Sequence, residues 1–343
     1  MTKLIIQIPC YNEEETLPQT IADLPKAIEG VDEIEILVID DGSEDQTVET
    51  ARRCGVHHVI SNRGNKGLAQ SFQAGLSAAL SRGADIIVNT DGDNQYCGAD
   101  VGALIAPILG GEADIVVGDR QTDQIEHFSQ LKKALQRIGS ATVRQLSGVD
   151  TPDAVSGFRA FSRAAAMTIT IRSSFSYTIE TLIQAGKKNL TVATAPVRTN
   201  RQTRPSRLFR SIPHFLTQSA KTMARVYAMY EPLKIFLAVG AVFAVIGLAP
   251  IIRFVVHYFA GDGQGMVQSL IIGVAFLLLG AMSAMFAMIA DLVAYNRQLI
   301  EVTLERVRRI EYGDANATQE TARVFPETAL RRELENLKAA AGE

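Results

Sequence analysis

Cysteine is scarce in this chain of 343 residues: only Cys10, Cys54 and Cys97 are present. Odd in number and widely spaced, they exclude a disulfide framework and a zinc site, and they fit a reducing compartment. Tryptophan is absent altogether, which excludes every motif that requires one. The net charge is only −3, so no basic excess points to nucleic acid, and none is expected as a partner. There is no internal repeat or low-complexity tract. Met1-Thr2-Lys3 runs straight into an apolar segment, so no signal peptide is expected.

Charge is missing locally as well. Residues 235–252 carry no charged side chain over 18 positions, and residues 266–290 none over 25. A hydrocarbon core needs roughly 20 apolar residues, so two transmembrane helices are predicted, at 235–257 and 266–290. The turn-rich stretch Ala260-Gly261-Asp262-Gly263-Gln264-Gly265 makes them a hairpin. Gly240, Gly247, Gly273 and Gly280 would allow close helix contact, while Arg253 and His257 can snorkel to an interface. Arg207, Arg210, Lys221, Arg225 and Lys234 precede the first span, and Arg297, Arg306, Arg308 and Arg309 follow the second. The loop between has neither Lys nor Arg. By the positive-inside rule, the N-terminal domain and both termini are cytoplasmic, on an integral protein of the inner or plasma membrane.

Ahead of the hairpin, residues 205–231 repeat apolar side chains at helical steps, among them Leu208, Phe209, Ile212, Phe215 and Leu216, with Arg210 and His214 between. This pattern predicts juxtamembrane amphipathic helices lying on the bilayer, broken near Pro213. Residues 291–343 read as a charged helical tail. The amphipathic surfaces and the tail leave a homo-oligomer open.

Residues 1–204 alternate apolar runs with helical stretches. Ile5-Ile6-Gln7-Ile8-Pro9, Ile34-Glu35-Ile36-Leu37-Val38-Ile39, His58-Val59-Ile60 and Ala84-Asp85-Ile86-Ile87-Val88-Asn89-Thr90 each end in polar or acidic residues. The fold class expected is α/β, a Rossmann-like, mostly parallel sheet with ligand groups on one edge. Asp91-Gly92-Asp93 closes the last of these runs. Paired hard oxygens there suit Mg²⁺ or Mn²⁺ held jointly with a substrate diphosphate.

Several segments together carry a resemblance. Pro9-Cys10-Tyr11-Asn12-Glu13, Asp40-Asp41-Gly42-Ser43, Asn62-Arg63-Gly64-Asn65-Lys66-Gly67 and Asp91-Gly92-Asp93-Asn94-Gln95 resemble, in order, the signatures of family 2 glycosyltransferases of the GT-A fold. Ser156-Gly157-Phe158-Arg159-Ala160-Phe161 and the run from Arg201 to Leu208 resemble the polyprenyl-phosphate branch, that of dolichol-phosphate mannose synthase and bacterial undecaprenyl-phosphate glucosyltransferases. Arg204 departs from the pattern, since many relatives have Gly there. The resemblance implies inverting, metal-dependent transfer of a sugar from a UDP- or GDP-linked donor to undecaprenyl or dolichyl phosphate at the cytoplasmic leaflet.

Asp93 is the expected direct metal ligand, and the resemblance implies metal or donor positions for Asp91, Asp93 and Gln95. Pro9, Tyr11, Glu13, Asp40 and Asp41 face the nucleotide, Tyr11 as a stacking ring and Asp41 as an acceptor for a base N–H. Asp40 alternatively makes a turn or cap. Gly64 and Gly67 lack Walker spacing and read as packing in a strand-to-helix turn. An acceptor phosphate is already anionic and needs cationic clamping more than a base, so Arg120, Arg159, Arg201, Arg204, Ser206 and Arg207 are its candidates, with Arg159 and Arg201 catalytic. Glu180 is a candidate for sugar hydroxyls or a base, or is a plain helix acid. Asp153 either binds sugar or shapes its loop. Cys10 and Cys97 read as small filler beside the site.

Two other readings stand beside this one. A processive polysaccharide synthase needs a Gln-x-x-Arg-Trp motif, which a chain without Trp lacks. A sensor or scaffold that binds the sugar nucleotide without turnover, or transfer to another lipid, remains the alternative.

Overall fold

The computed structural model describes residues 1–121, 130–171, 177–200, 227–261 and 267–313, with 217, 221, 224 and 225 as isolated positions. Arg201, Arg204, Ser206 and Arg207 lie outside the described residues, as do Pro213, most of the predicted amphipathic stripe and the tail beyond 313.

Alternation of strand and helix runs through the N-terminal part: β1 (Lys3–Cys10), α1 (Leu17–Ala22), β2 (Glu33–Asp40), α2 (Thr47–Arg53), β3 (His58–Ser61), α3 (Leu68–Ser81), β4 (Ile86–Asn89), α4 (Val101–Leu109), β5 (Ile115–Asp119), α5 (Gln130–Ser147), β6 (Arg159–Ser162), α6 (Arg163–Thr168), α7 (Tyr177–Lys187) and β7 (Val192–Pro196). The strands form one sheet in the order β3-β2-β1-β4-β6-β5-β7. Only β6 runs antiparallel to its neighbours β4 and β5. The sheet is therefore mostly parallel, as the alternation predicts.

β1 is buried from Leu4 onward, as a central strand covered on both faces must be. Leu4, Ile6 and Ile8 join the core beneath Val101, Leu104 and Ile105 of α4. Residues one step away face the opposite layer, where Gln7 and Ile39 lie against Gly75 of α3.

Pro9 settles where this sheet opens. β1 pairs with β4 up to Gln7 opposite Asn89, and Thr90 N–H donates to the Gln7 carbonyl at 3.1 Å. In a parallel ladder the next rung would need an N–H from residue 9 to the Thr90 carbonyl. Proline has none, so β1 and β4 part at that point. The loop carrying Asp91 and Asp93 leaves the sheet there.

Two helices follow the domain: α8 (Pro232–Phe259) and α9 (Val267–Glu311). Among the described residues these two are long and apolar enough to cross a membrane. The four glycines pair across the hairpin: a Cβ at Gly247 would lie 2.7 Å from the Gly273 carbonyl, and one at Gly240 3.0 Å from that of Gly280. Helices this close gain backbone packing that larger residues would prevent. α9 does not stop at the end of its apolar run; the start of the predicted tail continues the same helix to Glu311.

Candidate functional site

The carboxyl ends of β1 and β2 are laced together by side chains bonding to backbone. Asn12 N–H donates to Ser43 Oγ at 2.9 Å, and Glu44 N–H donates back to Asn12 Oδ1 at 2.8 Å. Glu14 N–H donates to Asp45, Gln46 N–H to Glu14 Oε2, and Glu13 N–H to Thr47 Oγ1. Asp40 Oδ1 accepts from Ser43 N–H at 2.9 Å, which is the turn role. Glu13 is buried and accepts from Thr16 Oγ1 at 2.7 Å. Pro9 is buried at the end of β1, and Tyr11, half-buried, follows it.

Asp41 is only 4% exposed and is committed to the chain itself. Its Oδ1 accepts from Asn62 Nδ2 and Lys66 N–H, each at 2.9 Å, and its Oδ2 from Gly67 N–H at 2.8 Å. It thus shapes the turn that starts α3, a function the residue-type argument missed. A cavity of about 320 Å³ opens beside this rim, lined by Asn12, Glu13, Glu14, Glu15, Thr16, Glu44 and Asp45. Its acids would repel an anionic nucleotide, so we do not place a nucleotide there.

Asp91 and Asp93 stand half-buried at the opened edge. Gly92 between them packs against β1: a Cβ there would meet Cys10 Sγ at 2.9 Å and Glu13 Cγ at 3.3 Å. Burial pushes the Cys10 thiol well up, with Glu13, Asp40 and Asp91 adding to it, so it serves as inert filler. Asp93 Oδ1 accepts from Gln95 N–H at 3.2 Å. Gln95 in turn is tied to the strand leaving β7: Asn200 N–H donates to its carbonyl at 2.9 Å, and Asn200 Nδ2 reaches the Asn94 and Tyr96 carbonyls at 3.1 and 3.2 Å. Asn200, the last described residue before the basic run 201–207, is thus held at the Asp93–Gln95 loop.

The other wall is made of buried polar groups. Arg120 grips Asp153 bidentately, Nε to Oδ2 at 2.6 Å and Nη2 to Oδ1 at 2.8 Å. Burial opposes the Arg120 charge, but Tyr96, Asp153 and Asp91 outweigh it and raise its pKa. Asp153 therefore orients an arginine. Tyr96, pushed up to about 12 by burial, accepts the Gly157 N–H at 2.9 Å. Gly157 leaves room for the groups in front of it: a Cβ would sit 2.9 Å from Tyr177 Oη and 3.1 Å from Asp91 Oδ2. Behind it, Asn89 takes Gln7 Nε2 on its Oδ1 and donates through Nδ2 to the Gly157 carbonyl and Tyr177 Oη, each at 2.9 Å. Tyr177 stacks on Phe72, centroids 4.0 Å apart.

Two expectations are corrected here. Arg159 is 0% exposed, and its guanidinium donates to the carbonyls of Ser156, Thr178 and Ala154 at 2.8–2.9 Å. Burial pulls its pKa down to about 10, still well above neutral. It supports the 154–157 turn from behind and does not present its charge to a phosphate. In the antiparallel pairing of β6 with β4, Arg159 stands opposite Asn89. Glu180 is likewise buried, accepting from Gln184 Nε2 at 3.2 Å, and lies on the helix side of that wall. Arg120, by contrast, keeps part of its side chain open.

Sequence reasoning missed Asn89, Tyr177 and Asn200. Asn89, a polar residue at the end of an apolar run, carried a signal. Tyr177 and Asn200 did not, since their partners lie 88 and more than 100 residues away.

Among the described residues no group of three or more His, Cys, Asp or Glu is arranged to hold a metal ion. Asp91 and Asp93 still fit a hard divalent cation whose remaining ligands are phosphate and water oxygens, which is how Mg²⁺ is commonly held.

Residues 5–170 match the family Glycosyl transferase family 2. The protein MJ1222 of Methanocaldococcus jannaschii is 32% identical over 205 residues, covering 57% of this chain and 81% of that protein. The UDP-N-acetylglucosamine–dolichyl-phosphate N-acetylglucosaminyltransferase of Methanococcus voltae is 28% identical, covering 56% of this chain and 83% of its own. In structure, the glucosyl-3-phosphoglycerate synthase of Mycobacterium tuberculosis, solved with Mn²⁺, UDP-glucose and phosphoglyceric acid, aligns with a TM-score of 0.50 at 21% identity, covering 66% of this chain and 79% of that one. That likeness concerns the fold.

Proposed function

The chain belongs to glycosyl transferase family 2, in its polyprenyl-phosphate branch, and from that premise we propose that it moves a sugar from a UDP- or GDP-sugar onto a polyprenyl phosphate at the cytoplasmic leaflet. The observation that carries this reading is the tie between Gln95 and Asn200. It joins the Asp91–Asp93 loop to the start of a basic run, and that run leads to two apolar helices.

In this reading Asp93 and Asp91 hold Mg²⁺ or Mn²⁺ with the donor diphosphate. When bound, the ion stabilises charge developing on the leaving nucleoside diphosphate. Gln95 sits beside the diphosphate. Pro9 and Tyr11 face the nucleotide, with Tyr11 as the stacking ring, while Glu13, Asp40 and Asp41 act behind them through the turns they shape. Arg120, held rigid by Asp153, and Arg201, Arg204, Ser206 and Arg207 gather the acceptor phosphate by charge-assisted hydrogen bonds. That phosphate is already an anionic nucleophile, so orientation beside the anomeric carbon accounts for more of the rate than proton removal. Displacement in one step inverts that carbon. The M. voltae relative acts, by its name, on dolichyl phosphate with UDP-N-acetylglucosamine, which supports the acceptor class for this chain.

The test is a donor screen on the purified full chain with undecaprenyl phosphate, using radiolabelled UDP-glucose, UDP-N-acetylglucosamine and GDP-mannose, with and without a chelator. Transfer of label into lipid, lost on chelation and restored by Mg²⁺ or Mn²⁺, is expected. Release of free sugar or nucleotide with no lipid product from any donor would overturn the acceptor assignment.

A further inference from the structure

One group of side chains has no part in that chemistry, at the junction of the domain with the first apolar helix. Glu231 directly precedes Pro232, the first residue of α8. Its carboxylate accepts from Lys187 Nζ at 2.5 Å, at the last residue of α7, and lies 3.2 Å from Lys234 Nζ. Tyr230, one residue earlier, packs on the apolar cluster of Val117, Val143, Ile179, Leu182 and Ile183. The Arg297 guanidinium lies over the Tyr230 ring, 4.1 Å from its centroid, and Arg297 Nη1 donates to the Met229 carbonyl at 3.4 Å. Residues 229–231 thus bind α7 on one side and α9 on the other.

α7 has both ends committed. Its last residue holds Glu231, while its first, Tyr177, builds the wall behind Gly157 and Asp91. Thr178, next along, accepts from Arg159. Eleven helical residues make a bar of about 16 Å between them. An ion pair as open as Lys187–Glu231 contributes little to stability. Its geometric effect is larger, because it sets how the bar meets the hairpin.

We propose that Tyr230, Glu231 and Arg297 form a clamp that fixes the height and rotation of the domain over the hairpin, so that a phosphate carried by a membrane lipid meets the donor at a set position. Glu231 and Arg297 are positioning residues. The inference rests on the lipid-acceptor reading above. A small misplacement of reacting groups costs rate steeply, and only an acceptor anchored in the bilayer is sensitive to this one. A short, water-dispersed acceptor can follow the site wherever it sits.

The experiment uses the full chain and the donor found active in the screen. Rates are measured with undecaprenyl phosphate in lipid nanodiscs and with geranyl phosphate in detergent, alongside nucleotide affinity by calorimetry. Glu231→Gln and Arg297→Gln should each lower the nanodisc rate about fivefold, leaving the short-acceptor rate and nucleotide affinity within about twofold. The exchange Lys187→Glu with Glu231→Lys should recover part of the nanodisc rate, and more of it when Lys234→Glu is added, because Lys234 also faces position 231. Equal losses on both acceptors, a parallel loss of nucleotide affinity, or no loss on either would overturn the clamp. A wild-type chain silent on both acceptors would instead overturn the acceptor reading, and the clamp with it.

Discussion

The two walls of the site are built by opposite means. On the side of β1 and β2, short polar side chains bond to backbone N–H groups of facing loops, and the carboxylates of Asp40, Asp41 and Asp45 are spent on turns. On the side of β6 and α7, buried side chains bond to one another and to carbonyls: Arg120 to Asp153, Arg159 to three carbonyls, Asn89 to Tyr177. The first wall draws on residues 12 to 67, the second on residues 89 to 178. The first should therefore tolerate single changes, since many weak bonds share the load, whereas the second should fail at single residues, since an unpaired buried group is costly.

Asp93, which belongs to neither wall, gives the largest effect. Asp93→Asn should lower turnover on the order of 10²–10³-fold with the thermal midpoint unchanged, because charge stabilisation of the leaving group goes while packing stays. Near-normal turnover at limiting metal would reassign the loop. Next comes the buried wall. Arg159→Ala should cost about 3–5 kcal/mol in urea unfolding, since three carbonyls lose their donor at once. If stability held and only acceptor use fell, Arg159 would be a phosphate ligand after all. Gly157→Ala should push the Asp91 carboxylate aside and slow transfer about tenfold or more, with stability falling less than for Arg159→Ala; equal damage to both would show that the residue is merely structural.

The smallest effect belongs to the laced rim. Asp45 is opposed by burial, but bonds from Thr47 and Glu14 hold its carboxyl below its usual 3.8. A depressed value stabilises above the unfolded pKa and is lost as pH falls through the folded one. Rim amides such as Glu14 and Thr47 should thus keep their hydrogen-exchange protection down to about pH 4 and lose it below, by under about 1 kcal/mol. Loosening already at pH 6 would mean that another group holds the rim.

Strand ends were legible in the sequence because an apolar run that stops at acids marks both a buried strand and its open edge. Asp91 and Asp93 were placed at that edge in this way, and Gln95 by the resemblance. What lay hidden is the set of partners. Nothing in Ser156-Gly157-Phe158-Arg159 says that the guanidinium is met inside the fold by the carbonyls of Ala154, Ser156 and Thr178. Charge alone made Arg159 look like a ligand, as it did Asp41, whose three donors come from 21 to 26 residues further on. The two apolar helices were visible from composition, but the bonds that fix residues 229–231 were not. Lys187 and Arg297 lie 44 and 68 residues from their partners.

Pro9 reaches further than a note on strand pairing. Nineteen of the twenty residue types would offer an N–H at that position, where a longer parallel register would ask for a bond to the Thr90 carbonyl. Any of them could extend the pairing of β1 with β4 by one rung, toward Asp91. The place where the Asp91–Asp93 loop leaves the sheet is thus written as a missing atom in β1, some 80 residues earlier in the chain.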